Sequence, residues 1–281
     1  MKKCLKIFLM ILFPLGILYL LLLKCRRNFP WPEGMKRIRY AHRGLHYKPD
    51  CPENSLAAFR EAVAHGYGAE LDVHLLADGG LAVIHDSSLK RTAGADVAVE
   101  DLTAEELKQY RLEGTEEKIP LLEEVLKVFE GKTPLVVELK PERGNHEQLA
   151  AATCAMLDRF QVTYCVESFD PRALIWLRKN RPEIVRGQLS GDLVHDKNPK
   201  QPKWVLWILT HLLMNIAVQP DFIAYDHKHR GIPELKICRL LYGVQEVSWT
   251  VRSEEEAEAL EKENCLIIFE NFGREEAEKI K

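Results

Sequence analysis

Beyond residue 36, short apolar runs alternate with longer stretches whose apolar residues recur every three or four positions. The runs predict strands at Arg37–Ala41, Ala69–Leu75, Leu81–His85, Pro134–Lys140, Tyr164–Phe169, Val185–Leu189, Asp221–Tyr225, Glu246–Val251 and Cys265–Glu270. The periodic stretches predict helices at Ser55–Ala64, Leu121–Phe129, Glu147–Phe160, Pro171–Asn180, Pro233–Tyr242 and Glu254–Lys262. Such alternation implies parallel strands joined by crossover helices. About eight units of this kind point to an α/β fold of the TIM type, a closed (β/α)8 barrel, with an open doubly wound sheet as the alternative. The chain has no GxGxxG turn and no GxxxxGK[ST] loop, which takes weight from the nucleotide-binding open sheets.

Two stretches break the pattern. Residues 86–118 follow the strand ending at His85 and read as a small insertion in the second-to-third strand region, with Thr103 as a helix N-cap and Glu106 as its capping-box partner. Residues 191–219 form a second, apolar insertion containing Trp204, Trp207 and Met214. It is read either as a helix packed on the barrel or as a helix lying in a membrane interface with both tryptophans at headgroup depth.

Ahead of the barrel, residues 7–23 (IFLMILFPLGILYLLLL) carry no charge and are flanked by Lys2, Lys3 and Lys6 on one side and Lys24, Arg26 and Arg27 on the other. With its flanks this run has the length of a bilayer span. No A-x-A-like cleavage site follows, and Lys24 rather than a small residue precedes Cys25, so a retained anchor is preferred to a signal peptide. The expected layout is a single-pass transmembrane anchor over 1–27, a Pro-containing linker over 28–36 and a barrel domain over 37–281. Lys and Arg are denser after the apolar run, which leans towards a catalytic domain on the cytoplasmic side.

Of the 281 residues, roughly 250 remain after the anchor, enough for one barrel. A net charge of −3 offers no basic surface for nucleic acid. The cysteines number seven, an odd count without a CxxC pair, which argues for packed, reduced thiols over a disulfide framework or a zinc site.

The chemistry is concentrated where predicted strands end. Glu70 and Asp72 are two apart on a strand and share a face. A single strand carboxylate is commonly a solvated edge or an ion pair. Three of them, Glu70, Asp72 and Glu138, embedded in apolar strands, need a cation between them. An all-oxygen set suits Mg2+ or Ca2+ better than zinc. His42 and His85 flank this group, and two imidazoles suit proton removal from a nucleophile and proton delivery to a leaving oxygen. Arg43 and Lys140 add fixed positive charge for a phosphate. Asn54 and Ser55, just before a helix, read as caps, and no Ser, Cys or Thr stands out as a nucleophile.

In sequence, His42-Arg43-Gly44, Pro52-Glu53-Asn54-Ser55, Glu70-Leu71-Asp72-Val73, His85-Asp86, Val137-Glu138-Leu139-Lys140, Glu167-Ser168-Phe169-Asp170 and Ser248-Trp249-Thr250-Val251 together resemble the glycerophosphodiester phosphodiesterase family. The resemblance covers nearly everything after the apolar run. It implies a TIM-type barrel with an insertion after the His85 strand, a metal on Glu70, Asp72 and Glu138, and acid and base roles for His42 and His85. It also implies that Arg43, Lys140 and Glu53 lie near substrate or metal, and that Trp249 lines the pocket. In such enzymes the substrate's own glycerol hydroxyl attacks phosphorus, giving a cyclic intermediate that water then opens. The final strand departs from the family's Ile-Thr-Asp-x-Pro pattern, reading Ile267-Ile268-Phe269-Glu270-Asn271. The expected reaction is hydrolysis of a glycerophosphodiester to an alcohol and glycerol 3-phosphate. A lysophospholipase D acting on membrane lysophospholipids through the same residues is the alternative, and an inactive, membrane-tethered binding barrel is the more distant one.

Overall fold

The computed structural model describes residues 2–197 and 199–273, with side chains from Met10 onward apart from Ile11. After helix α1 (Lys2–Leu22), the chain forms β1 (Tyr40–Ala41), α2 (Leu56–Ala64), β2 (Gly68–Leu75) and β3 (Leu81–Val83). The first insertion contributes α3 (Lys90–Ala93) and α4 (Ala104–Leu107), followed by α5 (Leu122–Phe129), β4 (Leu135–Leu139), α6 (His146–Leu157), β5 (Tyr164–Ser168), α7 (Pro171–Asn180) and β6 (Arg186–Ser190). The second insertion contributes α8 (Lys203–Thr210) and α9 (Asn215–Val218) before β7 (Phe222–Asp226), α10 (Pro233–Ile237), β8 (Gln245–Val251), α11 (Glu254–Lys262) and β9 (Leu266–Phe269). A π-turn over Cys238–Tyr242 prolongs α10, so the predicted helix Pro233–Tyr242 is one continuous stretch with a changed winding.

Eight strands close the barrel. Tyr40 and Ala41 of β1 pair in parallel with Gly68 and Ala69 of β2 on one side and with Ile268 and Phe269 of β9 on the other. The ninth strand, β3, is antiparallel to β2, with Val83 opposite Val73. Parallel alternation did not predict this hairpin. It matters because the returning chain sets the Ile84 N–H on the Asp72 carbonyl at 3.0 Å, bringing His85 back to the level of the acidic residues.

Strand side chains alternate between two cores. Leu71, Val73, Val137 and Leu139 face outward against Phe59, Val125, Leu126 and Phe129 of the surrounding helices. Each such side chain contributes about 1.5–3 kcal/mol on burial. Helix starts are set locally: Ser55 accepts the Ala58 N–H, Asp170 the Arg172 N–H and Ser253 the Glu256 N–H. Thr103 and Glu106 form the expected capping box on α4.

Inside the barrel, Tyr40, Val136, Cys165, Val185, Phe222 and Leu266 make an apolar lower layer. Gly187 of β6 leaves room for the Phe222 ring, since a Cβ there would sit 2.1 Å from it. Residues 28–36, expected as a linker, close this layer from below. Met35 is fully buried, Phe29 and Trp31 pack against the interior cluster, and the Trp31 and Phe222 rings lie 5.4 Å apart. The attachment begins earlier still, because Leu23 and Cys25 are buried against Leu212, Ile223, Tyr225 and Cys238. The expected anchor over 1–27 therefore ends inside the barrel's packing.

The described part of α1 from Met10 to Leu21 is exposed apart from Tyr19. Among the described residues no helix is long and apolar enough to cross a membrane. The start of the expected anchor, in residues 1–9 and 11, and the end of the expected barrel domain, in 274–281, lie outside the described residues or side chains. The six described cysteines outside α1 are buried and free.

Candidate active site

Above the apolar layer, the same inward-facing positions turn acidic. Asp72 of β2 is in register with Glu138 of β4, and Glu138 with Glu167 of β5, so three carboxylates form one row across neighbouring strands. Glu70, two residues before Asp72, shares their face and is also buried. Oxygens of Glu70, Asp72 and Glu138 all lie within 4.8 Å of one another, so the expected metal set converges.

Their environments differ. Burial, with Asp72 and Glu138 alongside, pushes the Glu70 carboxyl well above its usual range. Burial likewise raises Glu138, against the opposing pull of Lys140. Asp72 is also desolvated, yet Lys140, His85 and Arg43 hold it well below the usual range. A buried group with two carboxyls resisting ionisation is short of positive charge. All-oxygen donors of this kind fit a hard divalent cation.

The remaining partners are specific. The Arg43 backbone N–H donates to Glu70 Oε2 at 3.0 Å. Lys140 Nζ donates to Glu138 Oε1 at 2.8 Å and sits 3.1 Å from Asp72 Oδ1, so it is tied to the acidic row. Arg43 Nη1 donates to Glu53 Oε1 at 2.8 Å, and Arg91 donates to both oxygens of that carboxylate. Burial alone would raise Glu53, but the two guanidiniums bring it down to about 2.

His42 and His85 face one cleft together with Arg43, Glu70, Glu138 and Trp249. The cleft holds about 220 Å³, room for a compact polar group. Asp72, Lys140 and Glu53 stand behind its wall. His42 Nε2 lies 4.0 Å from Glu70 Oε2, while its Nδ1 lies 3.2 Å from Glu270. Burial pushes the His42 imidazole down to about 4, with Glu270 opposing that shift. His85 Nδ1 lies 2.6 Å from Asp86 Oδ1, and Asp86 in turn accepts from Arg91. Trp249 meets Phe169 edge-on at 5.7 Å, giving the cleft one apolar wall.

Several contributors were not assigned from sequence. Asn54 is not a cap: Ser55 caps α2, whereas Asn54 Nδ2 donates to Asp72 Oδ2 at 2.9 Å. Glu167 lines the cleft with Oε2 buried and without a hydrogen bond. Buried His74 reaches the His85 carbonyl at 3.2 Å through Nε2 and Glu100 at 2.6 Å through Nδ1, so the first insertion props the His85 loop. The period-two pattern carried the signal for His74 and Glu167, which are polar inside otherwise apolar strands.

The model of the glycerophosphoryl diester phosphodiesterase family matches residues 42–272. A glycerophosphodiester phosphodiesterase of Caldanaerobacter subterraneus subsp. tengcongensis is 30% identical over 240 residues, covering 81% of this chain and 91% of that protein. A lysophospholipase D of Rattus norvegicus is 40% identical over 101 residues, 31% of this chain and 32% of that protein. Among solved structures, a phosphodiesterase of Oleispira antarctica in complex with the product sn-glycerol-3-phosphate shares the fold at a TM-score of 0.69 and 24% identity, over 86% of this chain and 96% of that one. With its closed barrel, its converged carboxylates and a family match spanning the whole barrel, this chain belongs to the glycerophosphoryl diester phosphodiesterase family.

Proposed function

We propose that the chain hydrolyses glycerophosphodiesters to an alcohol and glycerol 3-phosphate, with Mg2+ or Ca2+ held by Glu70, Asp72 and Glu138. The observation that carries this reading is the buried carboxylate trio beside one cleft that both imidazoles line. When bound, the cation supplies Lewis-acid polarisation of the phosphoryl oxygens. His42, kept neutral by burial, accepts the proton of the attacking hydroxyl. His85, backed by Asp86, returns a proton to the leaving oxygen, and water then opens the cyclic phosphate so formed to give glycerol 3-phosphate. Arg43, pinned by Glu53, lends fixed charge to the phosphate, and Lys140 offsets the acidic row beside it. Trp249 and Phe169 form the wall against which the substrate carbons rest.

Release of glycerol 3-phosphate from glycerophosphocholine tests the assignment. His42→Ala and His85→Ala should each cost about 10²–10⁴-fold in kcat. Unchanged release by Glu70→Ala would refute it.

We further propose that the chain is a single-pass membrane protein held by α1, with the barrel on the cytoplasmic side. The support is the uncharged run 7–23, the exposure of Phe13 at 71% and Leu15 at 53%, and the cations Lys24, Arg26 and Arg27 that follow. Recovery of the full chain in the supernatant of sedimented membranes would refute it. A second substrate reading, a lysophospholipid cleaved by the same residues, is favoured by the similarity to the rat lysophospholipase D and by exposed Trp204 and Trp207. Comparing products from glycerophosphocholine and lysophosphatidylcholine separates the two.

A further inference from the structure

Among the described residues outside α1, four large apolar side chains are the most exposed. Leu240 is 89% exposed, Trp204 67%, Trp207 50% and Leu241 43%. Scattered singly, such residues are ordinary on a protein surface. Here they belong to two elements, α8 and the π-turn Cys238–Tyr242; the π-turn bonds α1 directly and α8 is linked to it through His211 and Glu234.

A chain of contacts shows the neighbourhood. The Trp207 ring lies 4.6 Å from the His211 ring at the end of α8. His211 Nδ1 is 3.1 Å from Glu234 Oε1, and the Tyr19 hydroxyl of α1 donates to the same oxygen at 2.6 Å. From the other side, the Tyr242 hydroxyl donates to the Leu20 carbonyl at 2.7 Å, and Arg27 donates to the Leu241 carbonyl at 2.6 Å. The apolar helix thus leaves the barrel through a collar that is itself apolar and carries exposed cations, among them Lys24, Arg27, Lys203 and Lys236.

We propose that this collar seats on a lipid bilayer, placing Trp204, Trp207, Leu240 and Leu241 at headgroup depth around the foot of α1. The inference rests on the reading of α1 as the anchor and adds the surface that fixes how the barrel stands on the membrane. Three features favour lipid over a second protein copy. The described α1 side chains from Met10 to Leu21 are exposed apart from Tyr19, as a lipid sleeve requires. Trp and Tyr gather at its foot, the pattern of an interfacial belt. Lysines and arginines beside them suit anionic headgroups. Because α8 follows β6, whose Leu189 lines the cleft, it starts on the mouth side of the barrel. Seating α8 on lipid brings that mouth to a diester still carrying an acyl chain.

The test uses the full chain in vesicles of phosphatidylcholine with phosphatidylglycerol, some brominated near the headgroup end of the acyl chain. Of the five tryptophans, bromine should quench Trp204 and Trp207, so Trp204→Phe/Trp207→Phe should lose most of the quenching. Equal quenching in both proteins, or none in either, would overturn the collar while leaving the anchor reading intact. Failure of the full chain to sediment with vesicles would overturn the anchor and the collar together. Copies that cross-link through Trp204 or Leu240 in vesicles without quenching would show that a second chain covers the surface, again overturning it. As an independent readout, Trp204→Ser/Trp207→Ser/Leu240→Ser should slow hydrolysis of vesicle-borne lysophosphatidylcholine several-fold and leave that of water-soluble glycerophosphocholine unchanged. Equal loss on both substrates, or no loss on either, would count against the collar.

Discussion

The Glu270 carboxylate reaches His42 from the last strand, with Oε2 3.2 Å from Nδ1. His85 has the same support from Asp86, and each carboxylate is braced by an arginine, Arg252 for Glu270 and Arg91 for Asp86. A carboxylate on Nδ1 fixes the tautomer and turns Nε2 towards the cleft. The departure from the family's final-strand pattern thus still brings an acid to His42. Glu270→Gln should lower kcat by more than tenfold yet by less than the ~10²–10⁴-fold cost of losing the acid–base group itself, with little change in KM. Glu270→Asp should recover part of the loss. Wild-type kcat in Glu270→Gln would show that His42 needs no such support.

The pH profile supplies a sign. Burial lowers His42 from 6.5 to about 4, and Glu270 acts in the opposite direction. The neutral base therefore persists in acid, and the acid limb of kcat/KM should fall near pH 4 in the wild type. Removing the carboxylate removes an influence that raises His42, so in Glu270→Gln the limb should move to still lower pH. An upward move would contradict the assignment of His42 as the titrating base.

Metal binding should appear as stability. Without a cation, raised Glu70 carries unfavourable charge, whereas lowered Asp72 is stabilised by Lys140 and Arg43. Glu70→Gln should therefore raise the Tm of the metal-free chain and Asp72→Asn should lower it. Saturation by Mg2+ or Ca2+ to about a hundred times Kd stabilises by ~2.7 kcal/mol, which raises Tm by roughly 5–10 °C in a domain of this size. Both variants should lose that rise. Differential scanning calorimetry with and without chelator reads all three, and a full rise retained by Glu70→Gln would remove Glu70 from the ligand set.

The barrel was legible because its strands are buried on both faces and read as apolar runs, interrupted only where chemistry requires it. Glu70, Asp72 and Glu138 stood out against that background. The β3 hairpin was not legible: Leu81–Val83 has the composition of any inner strand, and its direction depends on the short turn around Gly79 and Gly80. Nor was Asn54, because a polar residue before a helix has the same sequence signature whether it caps or turns inward to Asp72. The floor escaped for a related reason. Phe29, Trp31 and Met35 sit among prolines and a glycine without periodicity, and only tertiary contact reveals what they fill.

That floor sets where the N-terminus can be cut. Arg26 grips Asp221 with two nitrogens, donates to the Pro182 and Ile184 carbonyls, and covers the Phe29 ring at 3.4 Å. Asp221 is nearly fully buried and also accepts the Arg186 backbone N–H at 2.9 Å. Removing one partner of such a pair leaves the other desolvated and uncompensated, so Asp221→Ala should cost about 3–5 kcal/mol, a Tm loss of roughly 6–20 °C. Deleting residues 1–22 leaves the pair and buried Leu23 and Cys25 in place, and the barrel should melt cooperatively near the temperature of the full chain in detergent. Deleting 1–27 removes all three and should lower Tm as much as Asp221→Ala or more. Deleting 1–36 also strips Trp31 and Met35 from beneath Phe222 and should abolish the cooperative transition. Superimposable melting curves for the first two truncations would mean that Arg26 and its neighbours decorate the barrel without closing it.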